Sequence, residues 1–75
     1  MFYAENMEVK FAERLKELRI ERNLSCKQLA DYLQVSVRLV NFWEHGDREC
    51  SFEMLLRLSE LLDVSIDYLL GKTHY

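Results

Sequence analysis

The sequence predicts a single all-α domain. Its 75 residues are enough for one small core and about five short helices. Hydrophobic residues make up 49% of the chain, which favours a packed core over disorder. No segment alternates apolar and polar residues as a half-buried strand does. With no proline and only two glycines, few residues would interrupt a helix.

The first helix is predicted over residues 9–22. Phe11, Leu15 and Leu18 stand at i, i+4 and i+7 and form one apolar face. Residues 1–8 lack this periodicity. They are interpreted as a frayed terminus, and the alternative is an arm that packs on a second subunit. The domain is therefore predicted over 9–71, followed by a tail of residues 72–75.

Residues 24–46 predict two short helices joined by a tight turn. Ser25 fits the start of a capping box for a helix that ends at Leu33. Ser36 caps the next helix, which Gly46 ends in a left-handed conformation. This is the sequence shape of a helix-turn-helix, whose second helix is presented to a groove. The positions expected to face inward are apolar: Leu29, Ala30, Leu33, Val35, Val40 and Trp43.

Two further helices are predicted towards the end of the chain. Ser51 and Ser65 are expected to cap them, and Gly71 to end the last one. The apolar residues expected in or near the core are Met54, Leu55, Leu58, Leu61 and Leu62 in the fourth helix, and Ile66, Leu69 and Leu70 in the fifth.

The motif residues stand in an order that resembles the phage-repressor (Xre/Cro-like) helix-turn-helix family: Leu24-Ser25, Gln28-Leu29-Ala30, Val35-Ser36, Val40, Trp43-Glu44 and Gly46. Residues 11–19, 51–62 and 64–71 resemble that family's first, fourth and closing helices. The resemblance implies a compact five-helix, lambda-repressor-like domain with the motif at helices two and three. It also implies a sequence-specific regulator of transcription that binds double-stranded DNA, with repression as the expected mode.

The resemblance further implies that the third helix offers four residues to the major groove: Val37, Arg38, Asn41 and Phe42. Arg38 would bind guanine O6 and N7, and Asn41 would read adenine. Val37 or Phe42 would pack on a thymine methyl group. The alternative is that Val37 and Phe42 extend the core or a contact between subunits.

Contacts to the DNA backbone are expected from residues near the helix ends: Ser25, Cys26, Lys27, Ser36, His45 and Arg48. Helix N-termini favour anions, and Lys27 would add a positive charge. Cys26 departs from the glutamine that the family often has at this position. The loop after Gly46 also departs, since Arg48 stands there between two acidic residues.

The resemblance predicts two structural contacts as well. Arg19 is expected to pair with Glu44, and the alternative is two unrelated surface charges. Specific binding by so small a chain implies a homodimer on a palindromic site with half-sites about one helical turn, roughly 34 Å, apart. The candidate dimer contacts are Phe52, Tyr68 and Tyr75.

The charge of the chain supports a different alternative. The net charge is −3, whereas a nucleic-acid-binding domain is usually basic. Residues 1–38 carry seven basic and six acidic side chains, but residues 39–75 carry three and seven. The second hypothesis is therefore a helix-turn-helix domain that binds a protein partner, as an antitoxin-like or adaptor module.

The sequence offers little for other functions. No nucleophile has a base at motif spacing and no glycine-rich phosphate loop occurs, so we expect no enzyme, no cofactor and no small-molecule ligand. Cys26 and Cys50 have no CxxC partner, which favours reduced thiols over a disulfide and predicts no metal site. No signal peptide or membrane span is apparent, so a cytoplasmic protein is expected.

Overall fold

The computed structural model describes the backbone of residues 2–46 and 50–72, and the side chains of residues 10–46 and 50–72. Five helices follow one another: α1 (Phe2–Glu21), α2 (Cys26–Leu33), α3 (Val37–Glu44), α4 (Phe52–Leu62) and α5 (Ile66–Leu69). Within these residues there is no strand, and the predicted all-α fold is confirmed. None of the helices formed by the described residues combines the length and apolar character needed to cross a membrane.

The first helix is longer than predicted. It begins at Phe2 rather than at residue 9. The added turns contain neither glycine nor proline, and Ala4, Glu5 and Glu8 favour helix, so the backbone continues without an apolar stripe. The predicted start depended on an apolar periodicity that this part of the sequence lacks, so the prediction missed this end of the helix. Packing of the first residues on a second subunit stays a prediction.

A serine stands immediately before each of the four later helices and caps it, as predicted. Each residue is extended, and its hydroxyl oxygen accepts the backbone N–H three residues on, at 3.0–3.2 Å. The four residues are Ser25, Ser36, Ser51 and Ser65. The capping box is complete at α2, where the Gln28 Oε1 oxygen accepts the Ser25 N–H at 2.8 Å.

The core lies where α1, α2 and α3 meet α4 and α5. Its largest member is Trp43, which is 1% exposed. Around it are Phe11, Leu15, Leu18, Leu29, Ala30, Leu33, Val40, Leu58, Leu62 and Leu69. Met54 and Leu55 are partly buried against this cluster, as expected. The expectation for Leu61 was wrong. It is 37% exposed, because it lies roughly 60° around the helix from Leu58 and about 100° from Leu62, at the edge of the buried face.

The short helix α5 is fixed against α1. The Arg14 guanidinium donates a hydrogen bond to the Tyr68 carbonyl oxygen at 2.6 Å and lies 4.3 Å from the centroid of the Tyr68 ring. Gly71 follows with φ +80°, and a Cβ atom there would lie only 2.6 Å from Lys10 Cβ. Glycine therefore allows the chain to pass close to α1.

Candidate nucleic-acid interface

The helices α2 and α3 form a compact pair joined by a tight turn. Gln34 adopts the left-handed conformation (φ 61°, ψ 43°) and reverses the chain after α2. The Val35 N–H then donates to the Ala30 carbonyl at 3.0 Å, and the Val35 side chain is partly buried against the core. Buried Leu29 and Ala30 of α2 and Val40 of α3 belong to the same cluster. This packing sets the direction in which α3 presents its outer face.

The four expected base-reading residues lie away from the buried side of α3. Val40 and Trp43, at 0% and 1% exposure, define the inward side. Arg38 and Asn41 are exposed, Val37 is 38% exposed, and Phe42 is half-buried. The fold thus brings these four residues to one outer surface, which we call the α3 face: Val37, Arg38, Asn41 and Phe42.

Within the α3 face, Arg38 and Phe42 lie against one another. The carbon at the centre of the Arg38 guanidinium is 5.5 Å from the centroid of the Phe42 ring. The two residues are separated by one helical turn, a spacing at which side chains meet. We expected the two residues to act separately and did not predict their contact, although their i, i+4 spacing is present in the sequence.

Arg19 of α1 holds the end of α3. Its Nε and Nη2 atoms donate to the Glu44 carboxylate at 2.7 and 3.2 Å. The side chains are only 13% and 6% exposed, so this expected pair is not a surface contact. The hydrogen bond with Glu44 raises the pKa of Arg19, which keeps the guanidinium charged.

The candidates for contacts with the DNA backbone are distributed around the two motif helices. The Ser25 and Ser36 hydroxyl oxygens already accept hydrogen bonds as caps, and each hydroxyl hydrogen is left to donate elsewhere. The Lys27 ammonium lies 3.3 Å from the Asp31 carboxylate, with both side chains exposed. Asp31 therefore offsets part of the charge that was expected to attract phosphate.

The remaining candidates for contacts with the DNA backbone are His45, Cys26 and Arg48. His45 is exposed at the end of α3, and its Nδ1 atom lies 2.7 Å from the Asn41 carbonyl oxygen. Cys26 is half-buried and packs partly against the core. Arg48 lies outside the described residues.

Both cysteines are free thiols. Cys50 is partly buried against the core, and this burial raises the pKa of its thiol to about 12. Among the side chains of residues 10–46 and 50–72, no three histidine, cysteine, aspartate or glutamate residues come together as metal ligands would.

The residues expected to form the dimer contact differ in how exposed their side chains are. Phe52 is 71% exposed at the start of α4, and Leu56, one turn later, is 42% exposed. Leu56 was not among the expected contacts, although Phe52 and Leu56 form an apolar i, i+4 pair in the sequence. Tyr68 is half-buried, with Arg14 over one side of its ring. Tyr75 lies outside the described residues.

Comparison with known proteins gives this geometry its context. Residues 15–69 match the sequence model of the helix-turn-helix family. The chain is 38% identical over 60 residues to the uncharacterized HTH-type transcriptional regulator YqaE of Bacillus subtilis, covering 80% of this chain and 52% of that protein. It is 39% identical over 63 residues to the HTH-type transcriptional activator BcrR of Enterococcus faecalis, covering 84% of this chain and 31% of BcrR.

A solved structure shares the fold over almost its whole length. The restriction-modification controller protein C.AhdI of Aeromonas hydrophila superposes with a TM-score of 0.75 at 35% identity, covering 83% of this chain and 94% of that one. By contrast, the chain spans about half the length of the curated Bacillus relatives YqaE and ImmR. The order of the helices, the capped α2–turn–α3 unit and these similarities agree, and the chain belongs to the helix-turn-helix family that includes the HTH-type transcriptional regulators.

Proposed function

We propose that this protein regulates transcription by binding double-stranded DNA in a sequence-specific way, with α3 in the major groove. The observation that carries the proposal is the α3 face: four residues with complementary base chemistry lie outside the buried Val40–Trp43 side of one capped helix. Membership of a family of transcriptional regulators supports the same function. A protein of this kind acts where the DNA is, and we expect it in the cytoplasm.

The chemistry of the α3 face suits base recognition. Arg38 carries two parallel N–H donors for guanine O6 and N7, and Asn41 carries the donor and acceptor that match adenine. Val37 supplies an apolar surface for a thymine methyl group. Arg38 is the second residue of α3, and the N-terminal residues of a recognition helix are those that reach the base edges.

The DNA backbone would be held mainly by the beginnings of α2 and α3. Free N–H groups in the first turns attract phosphate oxygens, and the Ser25 and Ser36 hydroxyls add donors. The proposed contacts also include Cys26, Lys27, His45 and Arg48. Only Lys27 and Arg48 among these are cationic when histidine is neutral. We therefore expect a shallow salt dependence, since each neutralised phosphate adds only about 0.9 to the slope.

Two copies are needed to read a useful site. An eight-residue recognition helix contacts only a few base pairs, whereas a homodimer on a palindrome doubles them. The domain measures 32 × 24 × 21 Å, which is small enough for two copies to bind successive major grooves about 34 Å apart. Exposed Phe52 supports a contact through α4, with Tyr68 and Tyr75 as further proposed contacts. Repression follows if the bound dimer blocks access to a promoter.

The test is selection from a duplex library with a randomised core of about 25 base pairs, enough for two half-sites one turn apart. Selection is repeated at ~150 mM salt, where binding through phosphates alone weakens sharply. We expect a palindrome that is enriched at both salt concentrations.

Arg38→Ala should lower discrimination at a guanine position by about 1–3 kcal/mol. Arg22→Ala removes the same charge from the residue that follows α1, outside the proposed DNA contacts, and should leave base preference unchanged.

A second function, binding of a protein partner, is favoured by the charge of the chain. The net charge is −3, and the Lys27 ammonium is already engaged with Asp31. Tyr32 is 61% exposed on the outer side of α2, and tyrosine is enriched at protein interfaces. Unselective DNA binding that disappears at ~150 mM salt would reject the first proposal in favour of this one.

A further inference from the structure

The contact between Arg38 and Phe42 joins two residues of the α3 face. Their separation of 5.5 Å, from guanidinium carbon to ring centroid, lies inside the ~6 Å range of cation–π attraction. Arg38 is exposed and Phe42 half-buried, so the ring forms a partly fixed surface beneath a solvent-accessible charge.

This contact is compatible with base recognition by Arg38. A cation–π contact uses the guanidinium face, whereas the five N–H donors point outward in the guanidinium plane. In a contact of this kind the edge that binds guanine O6 and N7 remains available while the face meets the ring. A lysine would lack this separation between a stacking face and a donating edge.

We propose that Phe42 is a positioning residue that orients Arg38 for bidentate recognition of guanine. This inference rests on the proposed DNA-binding function and assigns Phe42 a role different from the thymine contact expected above. An exposed arginine samples many rotamers, and fixing one of them on binding is unfavourable. The ring restricts Arg38 before DNA arrives, so less freedom is lost when the guanine contact forms.

The size of the effect follows from the strength of such contacts. At exposed sites a cation–π contact corresponds to about a two- to fivefold change in an equilibrium constant. A bidentate guanine contact corresponds to about a five- to 150-fold preference over a wrong base. Loss of Phe42 should therefore weaken the guanine preference without abolishing it, and the loss should depend on Arg38.

The experiment uses the duplex enriched by the wild-type protein and measures affinity for every base at each position. Four variants are compared: Arg38→Ala, Phe42→Leu, Phe42→Tyr and the double variant Arg38→Ala/Phe42→Leu. Leucine keeps an apolar side chain but has no ring, whereas tyrosine keeps the ring. Circular dichroism and thermal melting establish that each variant folds, and Phe42 is not among the fully buried residues.

We expect Phe42→Leu to lower the guanine preference about two- to fivefold at the position that Arg38→Ala affects. Phe42→Tyr should retain that preference. In the Arg38→Ala background, Phe42→Leu should change the preference no further. This pattern of rescue and non-additivity distinguishes positioning from a general loss of structure, which would weaken binding equally at all positions.

Three other outcomes would overturn the inference. In the first, Phe42→Leu leaves the guanine preference intact but removes sensitivity to replacement of thymine by uracil, which would make Phe42 a methyl reader. In the second, the effects of Arg38→Ala and Phe42→Leu are independent. In the third, the wild-type protein enriches no sequence at all, and this result alone would also reject the proposed function.

Discussion

Arg19 and Glu44 connect the first helix to the end of the third through two hydrogen bonds of 2.7 and 3.2 Å. The remaining Arg19 nitrogen, Nη1, donates to the Leu24 carbonyl at 2.8 Å, immediately before the cap of α2. One guanidinium therefore links α1, the start of α2 and the end of α3. The orientation of the α3 face depends on this group as well as on the apolar core.

Glu44→Ala should lower the free energy of unfolding by about 3 kcal/mol, because it leaves the nearly buried Arg19 charge without its partner. Glu44 is 6% exposed, so water cannot easily replace the carboxylate. Urea denaturation should show a lower midpoint with an unchanged slope, which indicates lower stability rather than a change in the unfolded state.

The matched control for this ion pair is Asp31→Ala, which removes the Lys27–Asp31 pair of α2. Those side chains are 76% and 67% exposed, so the control should alter stability by only about 0.5 kcal/mol or less. Equal losses in Glu44→Ala and Asp31→Ala would contradict the importance assigned to burial.

Gln34→Gly should stabilise the protein by about 0.5–1 kcal/mol. Gln34 has φ 61° in the turn of the motif, and a left-handed residue with a Cβ atom costs about 1–2 kcal/mol. Glycine removes that cost, although its greater freedom in the unfolded chain cancels part of the gain. Thermal unfolding measures the effect. Gln34→Ala is the control, since alanine keeps the Cβ atom and should bring no gain; equal stabilisation by both would refute the explanation.

The features predicted correctly are those encoded within a few residues of one another. Ser25 and Gln28 are three positions apart, so the start of α2 could be predicted from the sequence. Arg14 and Tyr68 are 54 positions apart, and no periodicity indicates that they meet. The pairing of Arg19 with Glu44 was expected only because the chain resembles a known family. Sequence spacing alone does not indicate a contact between residues so far apart in the chain.

In the candidate site, too, the features that follow from helical spacing were predicted, and those that depend on side-chain or backbone conformation were not. The outward position of Asn41 follows from the helical spacing of Val40 and Trp43. The contact between Arg38 and Phe42 depends on rotamers, which the sequence pattern does not specify. The left-handed conformation of Gln34 was also missed, because glutamine gives no signal for it, whereas Gly46 gave one.

The Cys50 thiol should resist alkylation in the folded protein. Burial raises the pKa of Cys50 from 9.0 to about 12, so the thiolate fraction at pH 8 falls about a thousandfold relative to the unfolded chain. Cys26→Ser leaves Cys50 as the sole thiol of the chain. Iodoacetamide should modify this variant slowly in buffer and rapidly in urea. Similar rates in the two conditions would contradict the burial of the thiol.

The same raised pKa predicts how stability depends on pH. The folded state keeps the Cys50 proton at a pH where the unfolded chain has lost it. The resulting stabilisation is complete below about pH 9 and declines as pH rises towards about 12. The control is Cys26→Ser/Cys50→Ala, because lysine and tyrosine also titrate in this range. Urea midpoints should fall more steeply for Cys26→Ser than for the control, and parallel curves would reject the assignment.

Gly71→Ala should destabilise the protein by about 2–3 kcal/mol, and Gly46→Ala by only about 1 kcal/mol. Both glycines have positive φ, +80° and +75°, so alanine meets a similar backbone strain at each. The difference is the surroundings. A Cβ at position 71 would lie 2.6 Å from Lys10 Cβ, whereas among the described residues no neighbour comes within 4 Å of a Cβ at position 46. Urea denaturation of the two variants therefore isolates the close approach of the chain after α5 to α1. If both substitutions cost the same, that approach contributes nothing beyond the backbone strain, and α5 is not held against α1 through Gly71.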